Sequence, residues 1–431
     1  MCDTSPSDTS DTSDTSPSGH SINRRSMLGG ALAGTGLAIA GAMSASPARA
    51  ATKLPGFGTP LRPILPVLPS QPTGTVITQL GTAGGPQAEY VRTGTSTVFT
   101  VEGKNYLVDC GRSSVTQYLN SGLVFLKLAA IFITHLHADH LADYYNYFLL
   151  ESGQPNAERD MLPFPQQVPP VTPPPAQPLP VYGPGPAGAL PPQPAPPYGP
   201  VPIIGGDNPT PGIKDLTNLL TDGFAYSYNV FMRGDGYQPI TIFTSDVNEI
   251  AIPASAGASP TNTAPVGMAP FKVFEDDRVQ VSAILVPHGS VFPCFAYRFD
   301  TAAGSVVFSG DTSCPGFTAA TNNVIKLAQG ADVLVHEVMN WDLISKEQAA
   351  VGHTPQNDPL LAHLLVSHTT TEQVGRVAQA AGVPQLVLTH LIPSNPLDTP
   401  DLVWKAKCSV GYSGNVLVGN DGNQIPLPIR R

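Results

Sequence analysis

The stretch that decides the fold reads Ala130-Ile131-Phe132-Ile133-Thr134-His135-Leu136-His137-Ala138-Asp139-His140. Its apolar, β-prone start is typical of a buried strand. Three imidazoles and a carboxylate follow where this strand ends. His135 and His137 are two positions apart and therefore face the same side of an extended segment. Asp139 and His140 are adjacent and point in different directions, so the pattern predicts ligands for two neighbouring metal ions.

Later pieces of the chain carry further ligands of the same kind. Each one follows an apolar, strand-like run, a position where a rigid sheet fixes the side chains of the next loop. These pieces are His288, Gly310-Asp311-Thr312, His336-Glu337 and His390. Imidazole and carboxylate ligands suit Zn²⁺, and also Mn²⁺ or Fe²⁺. The sequence therefore predicts a centre that holds two divalent metal ions, with Zn²⁺ as the first choice.

The charge of the chain argues against a nucleic-acid partner. The 431 residues carry a formal net charge of −10, whereas binding through phosphate contacts needs clustered Lys and Arg. Between residues 151 and 270 the strong cations are Arg159, Lys214 and Arg233, too few for an arm that grasps RNA. We therefore expect no nucleic acid among the partners.

The N-terminus reads as an export signal. Residues 1–50 consist of a polar Ser/Thr/Asp leader, the pair Arg24-Arg25, a stretch rich in Gly, Ala and Leu, and an Ala-x-Ala site that ends at Ala50. This order is typical of a cleaved twin-arginine signal peptide. It predicts a periplasmic or secreted protein without stable membrane insertion. An uncleaved membrane anchor is the alternative.

The cysteines fit an oxidising compartment. Cleavage would remove Cys2 and leave Cys110, Cys294, Cys314 and Cys408. An even number predicts one or two disulfides, whose pairing the sequence does not choose. Cys110 is equally interpretable as a small buried residue at the end of a strand.

The body of the chain, 75–431, reads as one domain of two halves with a foreign segment between them. Residues 155–202 are dominated by Pro, Gln, Ala and Gly. Because proline fixes φ and lacks an N–H donor, this segment cannot be a helix or a central strand, and we expect a surface loop or lid. A helix is expected near 115–128, and short strands are expected between Phe224 and Ile252.

These motifs, in this order, resemble the metallo-β-lactamase fold superfamily, and within it the ribonuclease Z and arylsulfatase-like metal-dependent hydrolases. The residues that carry the resemblance are His135-x-His137-x-Asp139-His140, His288, Gly310-Asp311-Thr312, Val335-His336-Glu337, His368-Thr369-Thr370 and His390. The resemblance implies an α/β fold, a four-layer αββα sandwich with the metals at one edge. It also leaves a homodimer open.

The resemblance implies a role for each ligand. His135, His137 and His288 would bind one metal, Asp139, His140 and His390 the other, and Asp311 would bridge both. A metal-bridging hydroxide oriented by Asp139 would attack the substrate. Glu337 and His368 would donate a proton to the leaving oxygen, with His336 or His363 as competing candidates.

We expect from the whole pattern an exported hydrolase that cleaves phosphodiester or sulfate-ester bonds of small molecules. A lactonase or thioesterase with the same metal site is one alternative. A non-catalytic, metal-stabilised, exported binding protein is the other.

Overall fold

Two seven-stranded mixed sheets form the centre of the protein in the computed structural model, which describes residues 69–149, 179–192, 201–234 and 246–427. The first sheet contains β1 (Val76–Gly81), β2 (Ser96–Val101), β3 (Lys104–Val108), β4 (Leu128–Phe132), β5 (Pro180–Gly183) and β6 (Asp246–Glu249). The second sheet contains β7 (Phe271–Glu275), β8 (Gln280–Leu285), β9 (Phe295–Thr301), β10 (Gly304–Phe308), β11 (Val333–Met339), β12 (Gln385–Ile392) and β13 (Asn415–Val418). The last strand, β14 (Gln424–Pro426), returns to the edge of the first sheet beside β1.

Helices accompany both sheets. Those of the first half are α1 (Ser114–Asn120), α2 (Ala138–Leu141), α3 (Asn146–Leu149), α4 (Ile213–Gly223) and α5 (Ala225–Arg233). Those of the second half are α6 (Asn323–Ala328), α7 (Trp341–Ala350), α8 (Pro359–Ser367), α9 (Thr371–Ala381) and α10 (Asp401–Cys408).

Alternation along the strands explains how the layers pack. In β3, Tyr106 and Val108 lie in the core between the two sheets, whereas Leu107 lies in a second core against helices of the first half. Successive strand residues face opposite sides, so an apolar run of this kind must be covered on both. Phe132 of β4 contacts Phe299 of β9 edge-on, with ring centroids 5.1 Å apart. The predicted four-layer αββα sandwich is confirmed.

The helix expected near 115–128 is shorter than predicted. α1 ends at Asn120, a 3₁₀ turn covers Phe125–Lys127, and β4 begins at Leu128. Gly122 follows with φ +75°, a conformation that glycine adopts readily and that ends helices.

The prediction of strands between Phe224 and Ile252 is wrong at the start of this range and confirmed at 246–249, while residues 235–245 lie outside the described residues. α5 occupies the start of this range, and β6 is the strand that the structure describes there. Tyr228 of α5 is buried and its ring packs edge-on against that of Tyr145, so tertiary packing holds this aromatic-rich stretch as a helix.

The proline-rich insertion contains a strand that was not expected. β5 pairs in parallel with β4 and with β6, so it lies inside the sheet. Pro180 is its first residue, the strand position where a missing N–H is tolerated. The prediction that 155–202 excludes a central strand is wrong at these positions. Residues 155–178 and 193–200 lie outside the described residues, so the surface loop or lid stays a prediction there.

The predicted disulfides are absent from the described part of the chain, where all four cysteines are free thiols. Cys110 packs in the core beneath the first sheet, while Cys294 and Cys408 lie in the core of the second. The alternative for Cys110, a small buried residue at a strand end, is the one the structure bears out.

No helix within the described ranges has the length and apolar character of a membrane span. The export signal at 1–50 lies outside them.

Candidate metal centre

The predicted ligands lie where strands of both sheets end at one edge of the sandwich. His135 and His137 follow β4, and Asp139 and His140 belong to the short α2 directly after them. The second half contributes the three remaining ligands: His288 after β8, Asp311 after β10, and His390 within β12. Two rigid sheets therefore fix the ligands from opposite sides.

The first ligand group consists of His135, His137, His288 and Asp311, whose ligand atoms lie within 4.8 Å of one another. His288 Nε2 lies 3.2 Å from His137 Nδ1 and 3.6 Å from Asp311 Oδ2. His135 Nε2 lies 3.9 Å from the same Asp311 oxygen. His137 is half-buried, while the other three side chains are buried.

The second ligand group consists of Asp139, His140, Asp311 and His390, all buried and also within 4.8 Å. His390 Nε2 lies 3.2 Å from Asp139 Oδ2 and 3.2 Å from Asp311 Oδ2. His140 Nε2 lies 3.3 Å from Asp311 Oδ2. The structure thus brings together all seven predicted ligands, and Asp311 belongs to both groups.

Several ligand atoms lack a partner although they are buried. His135 Nε2, His140 Nε2 and Asp311 Oδ1 have no hydrogen-bond partner among the described residues. A buried polar atom without a partner is costly, and a bound cation is one way to satisfy it. The donor set is of the kind that Zn²⁺ prefers, namely imidazole nitrogen and carboxylate oxygen. The residues present therefore fit divalent metal ions.

The electrostatics keep most of these groups in the form that binds metal. Burial lowers the pKa of His135 and lowers that of His288 to about 3, so both rings stay neutral. Burial alone would raise the pKa of Asp311, but His390 and His140 hold it well below its ordinary value. His140 behaves differently: burial would lower its pKa, yet Asp311 and Asp109 raise it.

Asp109 positions the second group. Its Oδ2 accepts hydrogen bonds from His140 Nδ1 and from the hydroxyl of Thr134, both at 2.8 Å, and its Oδ1 accepts one from the backbone N–H of Thr134. A carboxylate behind an imidazole fixes the tautomer and directs the other ring nitrogen to the metal. Sequence reasoning missed this role. The available signal was position, because Asp109 directly follows β3, and β3 runs parallel to β4, which precedes His135.

Unusual backbone conformations hold two of the ligands. Gly310, just before Asp311, has φ +58°, and a Cβ there would lie 2.6 Å from the carbonyl oxygen of Phe295. His390 itself has φ +45°. Non-glycine residues rarely adopt this conformation, and those that do cluster at functional sites.

Glu337 and His368 lie beside the ligands, as predicted for a proton-donating pair. Glu337 Oε2 is 3.5 Å from His368 Nδ1, and Glu337 Oε1 accepts from the N–H of Thr369 at 2.8 Å. The His368 ring lies 5.1 Å from that of His288 and 5.5 Å from that of His390, measured between centroids. Burial would lower the pKa of His368, but Glu337 raises it above the ordinary value.

The two competing histidines have different surroundings. His336 is buried, its Nδ1 donates to the carbonyl oxygen of Glu337 at 2.6 Å, and it belongs to none of the ligand groups. His363 lies near the first group and is half-buried. The geometry places His368, rather than His336, against Glu337.

Comparisons with known proteins bear on the chemistry. A family model described as anti-Pycsar protein Apyc1 matches residues 75–149. A ribonuclease Z from Mycobacterium bovis (strain BCG) is 26% identical over 357 residues, which cover 82% of this chain and 99% of that protein. A ribonuclease Z from Mycolicibacterium gilvum is 26% identical over 355 residues, covering 81% and 96%. The crystal structure of the short form of human tRNase Z matches with a TM-score of 0.50 at 20% identity, covering 82% of this chain and 100% of that one.

These relatives overturn the expected substrate. The prediction that the substrates are small-molecule phosphodiesters or sulfate esters is wrong, as is the prediction of no nucleic-acid partner, since the similar proteins are named ribonuclease Z. The two alternatives, a lactonase or thioesterase and a non-catalytic binding protein, are not supported for the same reason. The inference relied on formal charge, which counts side chains only. Bound divalent cations are often the largest local charges in a site, and they stand where a phosphate would bind.

Proposed function

Since the chain belongs to the metallo-β-lactamase fold superfamily and is a metal-dependent hydrolase similar to ribonuclease Z, we propose that it hydrolyses phosphodiester bonds of RNA. One observation carries the proposal. Asp311 is shared by two groups of buried ligands, and several of their atoms have no partner within the described chain. Sequence similarity to ribonuclease Z over four-fifths of the chain supports RNA as the substrate.

We propose one metal ion for each of the two ligand groups. His135, His137, His288 and Asp311 would hold one ion, and Asp139, His140, Asp311 and His390 the other. We propose Zn²⁺ for both, because imidazole and carboxylate suit it. When bound, such ions neutralise phosphate charge and lower the pKa of a water nucleophile.

Asp139 and His368 would act on the attacking water and on the leaving oxygen. Asp139 Oδ2 accepts a hydrogen bond from the N–H of Gly85 at 3.2 Å, which fixes its orientation. From this position Asp139 would orient the attacking water. Glu337 raises the pKa of His368, which favours the protonated ring, and His368 would donate that proton to the leaving oxygen.

The test uses full-length protein loaded with Zn²⁺ and end-labelled RNAs, namely transfer RNAs and unstructured single strands. We expect cleavage that a chelator abolishes and that added Zn²⁺ restores. A His353→Gln variant is the matched control, because His353 is exposed and pairs with Asp358 outside the ligand groups. Metal-loaded protein that cleaves none of these RNAs would overturn the proposal.

We propose separately that the chain is exported through its twin-arginine signal. Arg24-Arg25 and the Ala-x-Ala site that ends at Ala50 support this. An exported enzyme would meet RNA outside the cytoplasm. Fractionation of cells that express the full chain, beside an Arg24→Lys/Arg25→Lys variant, tests it. Wild-type protein that stays uncleaved in the cytoplasm would contradict export.

A further inference from the structure

α8 exposes part of its apolar surface although it buries Leu361. Leu360, Leu365 and Val366 are exposed to solvent by 60%, 41% and 57%. The one titratable residue of this helix, His363, is half-buried instead. A surface helix ordinarily turns its apolar side chains inward and its polar ones outward. The half-buried position of His363 lets its imidazole contact the residues beneath α8.

His363 faces the metal centre. Its ring centroid lies 6.0 Å from that of His288, 6.4 Å from that of His137 and 6.4 Å from that of His368. Two of these residues are ligands of the first group, and the third is the proposed proton donor. None of the ligand groups includes His363. It therefore stands at the rim between the first metal position and the leaving-group side.

The surrounding contacts hold His363 in place. Its Nδ1 lies 3.2 Å from Ser367 Oγ, while the carbonyl oxygen of Ser367 accepts a hydrogen bond from His288 Nδ1 at 2.9 Å. The last residue of α8 therefore fixes both the rim histidine and a metal ligand. Gly289 lets Ser367 lie close to the segment that carries His288, since a Cβ at Gly289 would lie 2.5 Å from Ser367 Oγ. When Ser367 donates to Nδ1, Nε2 of His363 carries the hydrogen and is a donor.

We propose that His363 is a substrate-binding residue whose Nε2–H donates a hydrogen bond to a non-bridging oxygen of the scissile phosphate. The inference rests on the proposed function, because the phosphate must lie between the metal ions and His368. A neutral imidazole donor suits this place, since it binds an anionic oxygen without competing for the metals. His363 contributes to substrate binding, and the protons are still handled by Asp139 and His368.

The experiment compares His363→Phe and His363→Gln with Leu360→Gln, a control on the solvent side of the same helix. We expect the Phe variant to lose roughly 10- to 100-fold in kcat/KM on RNA, as for a lost hydrogen bond to a charged group. The loss should lie mainly in KM. The Gln variant should recover part of it, because its amide also donates. Metal content should equal that of the wild type in all variants.

A second measurement separates this inference from the proposed function. Titration of Zn²⁺-loaded protein with inorganic phosphate should give a weaker affinity for His363→Phe than for Leu360→Gln. If the wild type cleaves no RNA while this difference persists, the proposed function fails and the phosphate contact stands. Equal phosphate affinity and equal kcat/KM in the Phe variant would overturn the inference. So would a loss of bound metal in that variant, which would make His363 a support of the first metal group.

Discussion

The two ligand groups share Asp311 but differ in what stands behind them. In the first group, His288 Nδ1 donates to the backbone carbonyl of Ser367, and His135 Nδ1 lies 3.1 Å from the hydroxyl of Thr134. In the second group, the carboxylate of Asp109 supports His140. Neutral partners therefore hold the first group, and a charged one holds the second.

Burial differs in the same direction. His137 of the first group is half-buried, whereas every member of the second group is buried. The histidine beside the first group, His363, also reaches solvent. The second group is therefore the more enclosed of the two, and under the proposed function the more open first group would face the substrate. Metal should leave the first position more easily, because charged and enclosed ligands hold a cation more tightly.

The largest effect should come from removing what the groups share. In Asp311→Ala we expect both metal ions to be lost and RNA cleavage to fall to background, since Asp311 belongs to both ligand groups. Metal analysis and the RNA assay measure this, with Asp398→Ala, at an exposed aspartate, as the control. A variant that retains one ion per chain would show that one group is complete without Asp311.

A smaller effect is expected from the residue that belongs to neither metal. His368→Ala should lower kcat by roughly 10²- to 10⁴-fold, the usual contribution of a general acid, with the metal content unchanged. An RNA with sulfur at the leaving position should recover most of this loss, because a thiolate leaves without protonation. An equal defect on both substrates would argue that His368 acts on the metals instead.

The sequence predicted the parts of the molecule that local pattern determines. The seven predicted ligands lie in short motifs that follow strands or, for His390, lie within one. The strands that precede them are apolar and β-prone, as predicted. These features depend on neighbours within a few positions, so one chain read alone is sufficient for them.

The parts that failed depend on contacts between distant segments. Asp109 is an ordinary residue after a strand until β3 is known to lie beside β4. β5 was missed because proline composition outweighed its pairing on both sides. His363 reads as one polar residue in an apolar helix, and its role appears only when α8 packs near His288. For the substrate, net charge misled because it omits bound cations.

The asymmetry between the groups is tested most directly at Asp109. Asp109→Asn should weaken metal binding at the second position by roughly 10- to 100-fold, as is typical for a residue behind a ligand, and leave the first position unchanged. Asparagine tolerates the positive φ of 58° at this residue. Asp143→Asn, which alters a carboxylate bonded to the N–H of Val115, is the matched control. Equal weakening at both positions would remove the distinction.

The smallest effect concerns the backbone beneath the shared ligand, and it sharpens the comparison by measuring how rigidly Asp311 is held. Gly310 and Gly330 both have positive φ, of 58° and 69°. A Cβ at Gly330 would meet nothing within 4 Å, whereas one at Gly310 would meet the Phe295 carbonyl oxygen at 2.6 Å. Gly330→Ala should therefore lower the free energy of unfolding by about 1–2 kcal/mol, the cost of the left-handed conformation alone. Gly310→Ala should lower it by more, because β9 must also shift.

Urea unfolding of the metal-free protein measures the decrease in the free energy of unfolding in each variant. Repeating it with Zn²⁺ present shows whether the substitution also weakens metal binding by the ligands. A metal ion that binds only to the folded protein stabilises it, and the stabilisation grows with the affinity of the ion. The stabilisation by Zn²⁺ should therefore shrink in Gly310→Ala, where Asp311 is displaced, and stay at the wild-type value in Gly330→Ala. Equal losses in both variants, with equal stabilisation by Zn²⁺, would mean that Asp311 is free to adjust. The second group would then owe its tighter hold to Asp109 alone.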